Sequence, residues 1–287
     1  MMLTTFLSKT LRDGVVIVTL ERAEGSTPRE AGAAMAVSRS AMAGTIGGGQ
    51  LEFHCIDIAR EMLAAGGGSR TLDIPLGPQM GQCCGGRVRV LLKQANAADL
   101  ALQQAREQAA AASRPSVLIF GAGHTGRALA QALAALPFAT TVIDDRDGVL
   151  NGLPPELTCI RMADPVPAIA QAPAAAAFVI LTHSHALDYR LTEAALARGD
   201  AAYVGMIGSG TKRARFEASF LRAGGRSAAL DRLTCPIGAA DVDDKRPEVI
   251  AALTAAELVR CLLGRQATSS MRPRRIAGRR TGHDSAA

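Results

Sequence analysis

The segment Gly121-Ala122-Gly123-His124-Thr125-Gly126 constrains this chain more than any other feature. It follows a short apolar run, Val117 to Phe120, and leads into a helical pattern from about Thr125 to Leu136. A second apolar run, Thr140 to Ile143, completes a strand–helix–strand unit of about thirty residues. Strands joined through a helix run parallel, and a parallel sheet buries both of its faces under helices. Glycines at the first turn allow tight geometry and let backbone N–H groups approach a pyrophosphate at the positive helix end. An acid about twenty residues further on can accept ribose hydroxyls, and Asp144 and Asp145 stand there. Gly121, Gly123, Gly126 and Asp144 are therefore candidate ligand-binding residues. The spacing leaves two readings open: a nucleotide-like or other phosphorylated ligand, or a Rossmann scaffold that binds nothing.

The alternation continues beyond this unit. Phe178 to Leu181 and Tyr203 to Ile207 read as further strands, with helices at about 188–198 and after 207. The last helix runs from Pro247, suited to a first turn, to Gly264, with Val249, Leu253, Ala256 and Leu263 on one face. Upstream the pattern differs. Strands are expected at 14–21, 33–38, 70–74 and 87–93, and helices at about 50–65 and 97–111. Ser113-Arg114-Pro115 reads as the boundary. The fold class is thus α/β: an N-terminal mixed α/β domain (1–112), a Rossmann-like parallel-sheet domain (113–265) and a basic tail (266–287).

The net charge of +6 suggests a nucleic-acid partner until it is located. Five arginines and one aspartate lie between Met271 and Ala287; the remainder holds 27 basic against 25 acidic residues. With 3% aromatics and no Trp, bases have little to stack on. No nucleic-acid partner is expected, and the tail reads as a solvated extension. No apolar run reaches the ~18 residues of a membrane span, and Met1 to Gly14 lacks a signal-peptide pattern. A cytoplasmic protein without a membrane partner is expected. The six cysteines, two of them adjacent, then read as reduced thiols.

Four other segments carry candidate chemistry. His183-Ser184-His185 with Asp188 follows a parallel strand, where open α/β sheets place ligands. Alternation along an extended segment would put both imidazoles on one side, as metal ligands or as cleft-lining groups. Gly205 to Arg213 is a glycine loop followed by bases, either an anion site or an ordinary turn. Gly47-Gly48-Gly49 precedes a helix carrying Glu52; the loop suits close approach to a ligand, with Glu52 as a cap or as an acceptor of ligand N–H groups. Gln82-Cys83-Cys84-Gly85-Gly86 pairs two thiols beside two glycines. Cys83 and Cys84 are candidates to contact a soft metal, accept sulfur or undergo redox chemistry.

The ordered set of motifs resembles one family. Gly25 to Met35 (GSTPREAGAAM), Gly44 to Glu52 (GTIGGGQLE) and Leu76 to Gly86 (LGPQMGQCCGG) resemble the amino-terminal half of XdhC/CoxI proteins. Phe120 to Leu129, Val142 to Arg146, Thr182 to Asp188, Tyr203 to Ser209 and Cys235 to Gly238 resemble their Rossmann-like half. The resemblance implies an accessory protein that is not itself an enzyme. Its implied role is to bind molybdenum cofactor (molybdopterin), protect it during sulfuration and insert it into apo-xanthine dehydrogenase. A cysteine desulfurase-type sulfur donor and a molybdenum cofactor donor protein come with the same resemblance, and contact of Cys83 and Cys84 with molybdenum follows from it. So does assignment of residues 1–112 as the cofactor-binding domain. A homodimer is expected of a carrier of this size. Many relatives carry Cys where this chain has Gln50, which leaves thiol chemistry to Cys83 and Cys84. The alternative function is an NAD(P)-dependent oxidoreductase using the Rossmann domain.

Overall fold

The computed structural model describes residues 2–77, 85–238 and 242–264. The chain divides into two compact units, Met1–Ser113 and the residues from Arg114 onward.

The first unit is built on an antiparallel sheet in the order β3-β2-β1-β5-β4. Its strands are β1 (Val15–Glu24), β2 (Ala34–Ser38), β3 (Met42–Gly44), β4 (Ser69–Pro75) and β5 (Arg87–Gln94). Side chains alternate across a strand, so Val16, Val18 and Leu20 of β1 share one face. Against them pack Leu51, Cys55, Ala59 and Met62 of α2 (Gly49–Ala64). Those helix positions recur every three or four residues and form a single stripe. Val15 and Ile17 take the opposite face, with Leu3, Phe6 and Leu7 of α1 (Leu3–Thr10). The helix α3 (Ala97–Ala112) is opened by a capping box: Asn96 accepts from Ala98 and Asp99 N–H, and Asp99 accepts from Asn96 N–H.

The second unit is a parallel six-stranded sheet in the order β11-β10-β9-β6-β7-β8. The strands are β6 (Ser116–Phe120), β7 (Ala139–Asp144), β8 (Thr158–Arg161), β9 (Ala177–Ile180), β10 (Tyr203–Met206) and β11 (Leu233–Thr234). Relative to β6 as first strand, this is the Rossmann order. Central strands are apolar throughout because both faces are covered. Val117, Ile119, Ala177 and Val179 face α4 (His124–Ala134) and α9 (Pro247–Leu262). Leu118, Phe120, Phe178 and Ile180 face α5 (Val166–Gln171), α6 (His185–Arg198), α7 (Gly210–Arg222) and α8 (Ser227–Leu230). Each unit therefore has its own core.

Candidate functional site

The order β9-β6-β7 creates a crevice at the carboxyl ends of its strands. The chain leaves β6 toward α4 on one face of the sheet and leaves β9 toward α6 on the other. Neighbouring strands whose connections part to opposite faces leave a gap between them, the usual ligand position in open α/β sheets.

The glycines at the gap have distinct tasks. Gly121 has φ +109°, and a Cβ there would lie 2.3 Å from the Leu181 carbonyl oxygen, so glycine lets β6 and β9 approach. A Cβ on Gly126 would lie 2.0 Å from the Gly121 oxygen, so this glycine seats α4 on the strand. Gly123 differs: a Cβ there would meet nothing within 4 Å. It stands at the amino-terminal cap of α4 without a side-chain cap. Its open face adjoins the positive helix end. His124, the first residue of α4, is exposed.

Asp144 ends β7 and is 5% exposed. Its Oδ1 accepts from Arg146 N and Nε, both at 3.0 Å; its Oδ2 accepts from Ala122 N (2.7 Å) and Arg146 Nη2 (2.9 Å). Burial would raise its pKa, but the Arg146 guanidinium, the Ala122 amide and the Arg146 amide together hold it at about 2. The carboxylate expected to receive a ribose is thus saturated by the chain's own donors. Asp145 is the more accessible acid, with its Oδ1 3.7 Å from His183 Nδ1.

The geometry corrects the expected alternation of the two histidines. Ser184 caps α6, its hydroxyl accepting from Leu187 N–H (3.4 Å), and His185 is already helical. The extended segment ends between the imidazoles, both of which are exposed. Asp188 is fully buried, takes the Thr182 N–H (2.9 Å) and hydroxyl (2.8 Å), and pairs with Lys212. Asp188 is therefore a structural anion that cannot join His183 and His185 around a metal. Lys212 is buried too and donates to the Ile207 carbonyl at 2.9 Å. The Gly205–Arg213 loop is accordingly a strand-to-helix turn whose lysine points inward. Among the described residues, no group of three or more His, Cys, Asp or Glu side chains could hold a metal ion. No helix among them is long and apolar enough to cross a membrane.

In the first unit three motif segments meet. Gly47 lies against Pro28, whose ring a Gly47 Cβ would reach at 2.5 Å. Ser26 bridges Gly85, and Leu76 N–H donates to Gly86 oxygen at 2.7 Å. Residues 28–33 line an open hollow of about 460 Å³. Glu52 binds the glycine loop from beneath: its Oε1 accepts from Ile46 (2.9 Å), Gly47 (3.2 Å) and Gly48 (2.9 Å) N–H and from the Thr45 hydroxyl. Against the effect of burial, these donors keep its pKa below the ordinary value. Glu52 thus organises its own loop, and the Gly47 and Gly48 amides are already engaged. What the loop presents outward is the bare Cα of Gly48, where a Cβ would meet nothing within 4 Å. One turn into α2, Phe53 stands 62% exposed. Cys83 and Cys84 lie outside the described residues.

A two-unit α/β protein with a Rossmann-ordered second half is the class these features define. The XdhC and CoxI family model matches residues 11–75, and the XdhC Rossmann domain model matches residues 117–258. The chain belongs to the XdhC family. A crystal structure from Bacillus halodurans, described as a xanthine dehydrogenase, matches with a TM-score of 0.75 at 20% identity. The match covers 94% of this chain and 98% of that one. At that identity it speaks for the fold. No curated protein matches the sequence significantly.

Proposed function

We propose that this protein is an accessory carrier that binds molybdenum cofactor, shields it during sulfuration and delivers it to apo-xanthine dehydrogenase. The observation that carries this reading is the meeting of the Ser26–Pro28, Gly47–Gly48 and Gly85–Gly86 segments around an open surface. A pterin is flat and rich in donors and acceptors. Backbone without side chains at Gly48, with an exposed aromatic ring one turn away, suits the approach of such a molecule. Gly85, held against Ser26, follows Cys84 directly in sequence. In this reading Cys83 and Cys84 contact the molybdenum end as thiolates, the form that binds metals.

The phosphate is a poor fit to Gly47 and Gly48, whose amides already serve the Glu52 carboxylate. The crevice of the second unit, at Gly121, Gly123 and Gly126 before α4, is a separate place suited to a phosphorylated ligand of its own. We assign a nucleotide to that crevice, lined also by His183 and His185. The cofactor is cargo in this account; the protein's own residues hold, orient and release it. A homodimer that docks on the client dehydrogenase completes the proposal.

The test is direct. Protein loaded with molybdenum cofactor and separated from excess should activate cofactor-free xanthine dehydrogenase, with Cys83→Ser/Cys84→Ser retaining less cofactor. A client left inactive would refute the carrier role. Turnover of a substrate with a bound nicotinamide, abolished by Gly123→Val, would establish the oxidoreductase alternative instead.

A further inference from the structure

We infer that Arg146 makes the crevice selective for a nucleotide whose ribose carries a phosphate monoester, the 2′-phosphorylated dinucleotide, over the form with a free 2′-hydroxyl. This rests on the reading that the crevice holds a nucleotide. A carboxylate at the end of the second strand selects a free ribose by accepting from its hydroxyls; an arginine there selects the 2′-phosphate. Here the carboxylate is present but unavailable. Asp144 has two donors on each oxygen, supplied by Arg146 and Ala122. A ribose hydroxyl would have to displace one of them.

Arg146 is turned the other way. Its Nε and Nη2 hold Asp144, while its side chain is 38% exposed and Nη1 makes no bond among the described residues. Guanidinium presents several donors in a planar fork, so one edge can hold the carboxylate while another meets a phosphate. Arg161 flanks the same turn from β8, donating through Nε to the Asp145 backbone carbonyl at 3.2 Å.

Two acids oppose this field, and their positions limit the opposition. Asp147 lies 3.0 Å from Arg161 but is 84% exposed, where water screens it. Asp145 is one-third exposed and faces His183 at 3.7 Å. A phosphate monoester carries nearly two negative charges. It gains more from Arg146 than a hydroxyl can, since the phosphate adds the attraction of opposite charges to the hydrogen bond and can take two guanidinium donors at once.

The experiment is calorimetric titration of the full chain with NADPH, NADH, 2′,5′-ADP and AMP at one ionic strength. The phosphorylated member of each pair should bind about tenfold tighter or better. Arg146→Gln should remove that difference while leaving AMP binding in place, with folding checked by circular dichroism. If that variant does not fold, the comparison on the natural protein still decides. Equal affinity within each pair, or tighter NADH and AMP, would overturn the selectivity and leave the nucleotide reading standing. No binding by any of the four would overturn both.

Discussion

Asp144 and Glu52 show how the same residue type is used at two ligand-facing turns. Each carboxylate accepts from a glycine loop's backbone, Glu52 from three amides and Asp144 from the Ala122 amide, and each shapes its loop before any ligand arrives. For Asp144 the consequence is measurable against pH. Its pKa of about 2 lies below the ordinary value of 3.8, so its stabilisation is present above about pH 4. It is lost as the pH falls toward 2. Asp144→Asn should be less stable than the natural protein by about 2 kcal/mol at pH 7. The gap should narrow between about pH 4 and pH 2, as followed by urea unfolding across that range. Glu52→Ala would strip three loop amides of their acceptor, and hydrogen bonds to a charged group contribute about 2 kcal/mol in net terms. Its urea midpoint at pH 7 should fall accordingly, and Glu52→Gln, which keeps one acceptor oxygen, should lose less.

At the scale of the element, the turn from β6 to α4 separates packing from binding. Gly121→Ala forces a Cβ onto the Leu181 carbonyl, and Gly126→Ala forces one onto the Gly121 carbonyl. Backbone cannot yield as a side chain can, so each should cost about 3 kcal/mol. Gly123→Ala meets open space and should cost about 1 kcal/mol or less, the ordinary effect at a helix cap. It should nevertheless weaken ligand binding, because the methyl group would occupy the face presented to the crevice. Thermal unfolding and titration of the three variants check both halves of this expectation. Much of the element pattern was legible: β6, β9 and α2 carry continuous or periodic apolar signals because they lie in cores. The helix α1 and strand β8 were not expected. α1 has its apolar stripe confined to Leu3, Phe6 and Leu7 within eight residues. β8 is an edge strand exposed at all four positions, so burial left no mark on its composition.

Over the whole molecule, each unit encloses its own hydrophobic clusters, the second with Phe120, Phe178 and Phe216 fully buried. A region with its own core can fold alone. Residues 114–264 expressed separately should unfold in one cooperative transition and keep any nucleotide affinity of the full chain. A broad, non-cooperative melt would show that the first unit is needed for its stability.

By itself the sequence determined the alternation of strands and helices, the position of the glycine turn and the family resemblance. These are properties of local pattern: apolar periodicity, turn chemistry and motif order need only near neighbours along the chain. Tertiary structure alone decided which polar groups remain free to act. Asp144, Asp188, Glu52 and Lys212 read as candidate ligands or bases while their partners, many of them backbone donors and acceptors, went unseen. A hydrogen-bonding capacity is finite, and whether it is already filled depends on what the fold brings within reach.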